Sequence, residues 1–98
     1  MSQREEILAL LRAHKPDLQS RYPISSLALF GSFARNEATD DSDVDILIDF
    51  NAPIGWEIVD LVEEMESFLK KKVDLVSKRA FRPNDRLLNY INQDLFHV

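Results

Sequence analysis

Residues 43–50, Asp-Val-Asp-Ile-Leu-Ile-Asp-Phe, alternate without a break. In an extended chain Val44, Ile46, Ile48 and Phe50 point one way, and Asp43, Asp45, Leu47 and Asp49 the other. A strand with one fully apolar face has to bury it, so this segment demands a sheet with a covering layer. Its head sets a second constraint. Asp43 and Asp45 share a face, with Cα atoms roughly 6.5–7 Å apart, where their charges repel. A divalent cation, or two cations ~3.5–4 Å apart, would remove the conflict. The bland alternative is a loop-ending Asp43 and a solvated Asp45. Asp49 lies further along the same face and is assigned to the surface or to a salt bridge.

Elements that could form the covering layer flank this strand. Ser2-Gln3-Arg4-Glu5 has capping-box spacing, and Ile7, Leu8, Leu10 and Leu11 follow at helical intervals, which predicts a helix over about 3–14. Pro16 is expected to open a second short helical stretch that ends near Pro23. Ile24–Phe30 reads as a buried strand closed by Gly31, followed by a turn or two of helix and a polar loop. The strongest helix lies within 55–72, with Ile58, Leu61, Val62, Met65, Phe68 and Leu69 as its stripe. Residues 73–77, Val-Asp-Leu-Val-Ser, form a third short strand, and 82–96 a closing helix with Leu87, Leu88, Ile91 and Leu95 inward. The order α-β-α-β-α-β-α implies an α/β fold, a small sheet covered by helices.

Composition narrows the chemistry. With 98 residues, one domain over 1–98 is the expectation. The absence of cysteine removes disulfides, zinc fingers and thiol nucleophiles, and two histidines are too few for most histidine-built metal sites. Any metal would take oxygen ligands, which points to Mg²⁺, Mn²⁺ or Ca²⁺. A net charge of −5 argues against stable nucleic-acid binding but suits a basic protein partner. No apolar run is long enough to span a bilayer. Glu5 and Glu6 precede the first apolar stripe, unlike a secretory signal, so a cytoplasmic location is expected.

Two further features bear on the paired aspartates. Gly31-Ser32 follows a strand and opens a short helix, an arrangement that lets phosphate approach the backbone, although a strand-ending glycine with a serine N-cap would look the same. Asp74 lies inside an apolar strand, where it is costly unless paired or metal-bound, a local salt bridge being the alternative. The apolar strand follows the aspartates. In dehalogenase-type and glycosyltransferase D-x-D motifs it precedes them.

Together, Gly-Ser-Phe-Ala-Arg-Asn-Glu-Ala (31–38), Asp-Ser-Asp-Val-Asp-Ile-Leu (41–47) and Val-Asp-Leu-Val (73–76) resemble the signature of the DNA polymerase β nucleotidyltransferase superfamily. The match is to its minimal, MNT-type branch, which reads G-S-x-A-R-G-x-A, then S-D-[IV]-D-[LI], then V-D-L-V. The resemblance runs from about Ile24 to the end. It implies a polymerase-β-like fold with a mixed sheet of three to four strands. It implies that Gly31 and Ser32 hold the β- and γ-phosphates of a nucleoside triphosphate. Asp43 and Asp45 would bind two Mg²⁺ ions, with Mn²⁺ as an alternative, and Asp74 would complete the catalytic and metal site. The chemistry implied is nucleotidyl transfer, AMP from ATP, with release of pyrophosphate.

Larger members carry extra domains for acceptor recognition. A chain of this size is expected to find its acceptor hydroxyl on a partner. In the family that partner is commonly a HEPN-type toxin, to which the minimal protein is the antitoxin. A non-catalytic antitoxin that acts by contact, and an NTP-binding regulator, are the competing readings. A homo-oligomer is left open.

One departure from the pattern is Asn36 in place of glycine; asparagine tolerates a left-handed backbone, so the turn should survive. Arg35 either touches phosphate or braces the loop. Lys70, Lys71, Lys72, Arg79, Arg82 and Arg86 form the main basic concentration, able to steady phosphate or simply to coat the surface. Trp56 is expected to plug the core, with an interface as the alternative, and His14 and His97 to lie on the surface.

Overall fold

The structure, a computed structural model, describes residues 2–80 and 86–98, apart from the Leu87 side chain. The expectations for Arg82, for an inward Leu87 and for a helix beginning at 82 lie outside the described residues.

α1 (Gln3–Arg21) begins as its capping box requires, with the Ser2 hydroxyl accepting from the Glu5 N–H at 3.1 Å. Pro16 does not divide it: one helix runs through. The proline nitrogen cannot donate to the Arg12 carbonyl, which costs about 3 kcal/mol in a helix interior. Packing overrides that cost, because Leu11 and Leu18, fully buried on either side of Pro16, anchor both halves in the same core. Leu10 faces outward.

The expected strands are present, and a fourth joins them. β1 (Ile24–Phe30) runs antiparallel to β2 (Val44–Phe50), and β2 runs parallel to β3 (Val73–Ser77). β4 (Phe96–His97) pairs antiparallel with β1, so the chain end is a strand as well. The order is β3-β2-β1-β4, a mixed sheet with β3 at one edge. The short α2 (Gly31–Ala34) follows β1 directly.

Alternation in β2 sorts the two cores. Val44, Ile46, Ile48 and Phe50 pack with Leu27 and Leu29 under α1 and under α3 (Glu57–Leu69), whose Leu61, Met65 and Leu69 are buried. On the opposite face Leu47 packs with Ala28 and with Ile91 of α4 (Arg86–Asn92). Because α3 links two parallel strands, it runs antiparallel to both.

Trp56 departs from expectation: it is 89% exposed, not in the core. It stands just before the first turn of α3, roughly 140° around the helix from Leu61 at 100° per residue. His14 stacks on Phe68, ring centroids 3.9 Å apart, and is only partly exposed; His97 lies on the surface.

Candidate active site

Strand register assembles the site around Asp45. The antiparallel pairing sets Phe30 opposite Asp45, so the next residue, Gly31, arrives against the Asp45 side chain. The parallel pairing sets Asp74 opposite Asp45 on the other side. Asp43 stands at the head of β2, on the same face. Three segments distant in sequence thus meet at one carboxylate.

Gly31 is required twice over. Its φ is +76°, a left-handed conformation that L side chains rarely adopt. A Cβ there would also overlap the Asp45 Oδ2 and stand 3.0 Å from its Cγ. Ser32 does not cap α2, since Phe30 occupies the N-cap position; its hydroxyl sits beyond the cap, partly exposed. Asn36 has φ 58°, the left-handed turn anticipated for it, and its Oδ1 accepts from the Arg4 N–H at 2.9 Å.

Electrostatics single out Asp45. It is half-buried, and its pKa is pushed up to about 6, first by burial, then by Asp74, then by Asp43, with Arg35 pulling the other way. Asp43 and Asp74 are exposed. For Asp74 this corrects the reasoning from sequence: it lies on an edge strand, so no burial penalty has to be met. Among the described residues none of the three carboxylates forms an ion pair or hydrogen bond, and no three carboxylates or histidines converge closely enough to hold a metal ion as they stand. The donor set fits a hard divalent cation: all oxygen, all carboxylate, and mutually repelling, with Arg35 offsetting only part of that repulsion.

Arg35 braces the loop, its Nε 3.2 Å from Glu37 and its Nη1 3.9 Å from Asp94. Asp94 was not anticipated, because the pairing joins the start of the chain's site to the segment after α4 and has no local signal. Arg79 belongs elsewhere: it pairs with Asp49 at 3.4 Å and donates to the Phe50 carbonyl at 2.7 Å, at the far end of β2. Lys70, Lys71 and Lys72 do approach the site end, lining with Asp40, Asp41, Ser42 and Asp43 a cleft of about 370 Å³. No helix among the described residues is long and apolar enough to cross a membrane.

Comparison with known proteins gives the family and the fold. Residues 11–96 match the nucleotidyltransferase domain family. The chain is 43% identical over 79 residues, 80% of each chain, to the protein adenylyltransferase MntA of Thermococcus cleftensis. It superposes on a solved candidate minimal nucleotidyltransferase with a TM-score of 0.67 at 29% identity, covering 98% of this chain and 95% of that one. It shares the fold of a chain from a solved complex of the tri-AMPylated Shewanella oneidensis HEPN toxin with MNT antitoxin (TM-score 0.55, 22% identity, 97% of this chain and 67% of that one). With the glycine turn and the aspartates of β2 and β3 in the family's order, the chain belongs to the nucleotidyltransferase domain family and is a nucleotidyltransferase of its minimal branch.

Proposed function

We propose that this chain transfers AMP from ATP to a hydroxyl of a partner protein, a HEPN-type toxin, with Mg²⁺ as cofactor and pyrophosphate as the second product. The observation that carries the reading is the register that sets Asp74 opposite Asp45 while Gly31 abuts the same carboxylate. A Thermococcus relative named for protein adenylylation, and an AMPylated toxin in complex with a protein of this fold, support the choice of acceptor.

In the transfer, the acceptor oxygen bonds to the α-phosphorus, the bond from that phosphorus to the β-phosphate bridging oxygen breaks, and the hydroxyl proton leaves to a base. Bound Mg²⁺, held by Asp43, Asp45 and Asp74, would neutralise charge on the entering and leaving oxygens. Gly31 leaves the backbone bare where phosphate must come close, and the partly exposed Ser32 hydroxyl is free to donate to it. Asp74, exposed on the edge strand, is open to an arriving acceptor and takes its proton. Arg35, tied to Glu37 and Asp94, holds the turn in place.

The test is intact-protein mass spectrometry of the protein encoded by the adjacent gene after incubation with this chain, ATP and Mg²⁺. A nucleotidyl adduct is expected with the wild type and is lost with Asp43→Asn or Asp45→Asn. Equal labelling by all three would remove the aspartates from the reaction.

A further inference from the structure

Two clefts run along the outside of α3 and meet at Val59. The first opens at Trp56, 89% exposed, and takes in Val59, 47% exposed. The second continues past Val62 to Leu75 of the edge strand, whose chain neighbour Asp74 points to the opposite face of the sheet. α3 is antiparallel to β3, so this seam leads from the end of the sheet remote from the carboxylates back toward them. Along the helix it runs from Glu57 to Glu66, about 15 Å at 1.5 Å per residue. An exposed tryptophan leading into a contiguous apolar seam is the composition of a protein-binding anchor, not of ordinary surface.

Charge selects the occupant. Glu57, Asp60, Glu63 and Glu66 flank the apolar residues, and among the described residues no lysine or arginine lines either cleft. A second copy of this chain would set these carboxylates against their own kind. A surface carrying an apolar side chain among lysines or arginines would meet complementary charge and be drawn in by it.

We infer that the α3–β3 seam, from Trp56 to Leu75, is where the acceptor protein docks, through a basic surface with an apolar anchor. This rests on the proposed transfer to a protein. The anchor at Trp56 fixes the partner, and the β3 edge, where no further strand intervenes among the described residues, lets a hydroxyl at the partner's other end reach around the edge from the Leu75 face to Asp74 on the other. The docking site and the reacting site are then separate, and can fail separately.

The experiment is calorimetric titration of the protein encoded by the adjacent gene into this chain without nucleotide, comparing wild type, Trp56→Ala and Val59→Glu, at two salt concentrations. Both positions are exposed, so the variants are expected to fold, which circular dichroism checks. Binding at least about 30-fold weaker in each variant is expected, with wild-type affinity falling as salt rises. Affinity within threefold of wild type in both variants overturns the inference. So does the absence of any wild-type complex, or a homodimer that Trp56→Ala dissolves in light scattering. A complex that forms and weakens as expected, yet receives no nucleotide when ATP and Mg²⁺ are added, would sink the proposed reaction and leave the docking surface standing.

Discussion

Replacing Asp45 with asparagine should stabilise the metal-free protein at neutral pH. The folded chain holds the Asp45 proton with a pKa of about 6, against an ordinary value of 3.8. A carboxyl that binds its proton more tightly in the folded state favours folding at low pH. That contribution is complete below about 3.8 and is lost as pH rises through about 6. The separation corresponds to roughly 3 kcal/mol at ~1.4 kcal/mol per pKa unit. Asp45 is only half-buried, so solvent screening reduces this to about 1 kcal/mol. Asparagine keeps the shape and removes the charge that burial, Asp74 and Asp43 oppose. In a chelating buffer at pH 7.5, Asp45→Asn should therefore melt about 5 °C above wild type, a gap that closes by pH 4. Added Mg²⁺ should raise the wild-type melting temperature and leave the variant's nearly unchanged. Thermal unfolding followed by circular dichroism reads all of this. A variant no more stable than wild type at pH 7.5, or a gap that does not vary with pH, would refute the reasoning.

Three other substitutions probe the frame of the site. Gly31→Ala meets both a φ of +76° and the Asp45 carboxylate; urea denaturation should show a loss of about 1–3 kcal/mol, with transfer activity falling further than stability explains. Asn36→Gly relaxes the left-handed turn but removes the acceptor for the Arg4 N–H; the two effects offset, and stability should stay within about 1 kcal/mol. Pro16→Ala restores a helical rung on the exposed side of α1 and should add about 1–3 kcal/mol in the same assay.

Much of this architecture is legible in the sequence, for reasons that differ by residue. β2 is readable because a period of two leaves no other assignment; the same alternation puts Leu47 on the face opposite Val44, and the structure fills that face with a second core around it. The order of the motifs in the sequence points to Asp43, Asp45 and Asp74, and the parallel register of β2 and β3 sets Asp74 opposite Asp45. Asp49 finds a salt bridge, with Arg79. What local pattern cannot carry is competition with tertiary packing. Pro16 stays inside α1 because Leu11 and Leu18 are buried together. Phe96 and His97 become a strand only because β1 offers an open edge. Asp74 looked buried because its neighbours are apolar; the position of β3 at the sheet edge, which no local pattern encodes, leaves it exposed. Trp56 was expected in the core as the chain's one tryptophan, and its place before the first turn of α3 leaves it outside.

The central claim is that these aspartates move a nucleotidyl group, not a terminal phosphate, onto a protein. Parallel incubations with α-labelled and γ-labelled ATP, Mg²⁺ and the protein encoded by the adjacent gene test it most directly. Label on that protein from α-labelled ATP alone, lost with Asp43→Asn, is the result the account requires. Label from γ-labelled ATP, or α-label that survives Asp43→Asn, would contradict it.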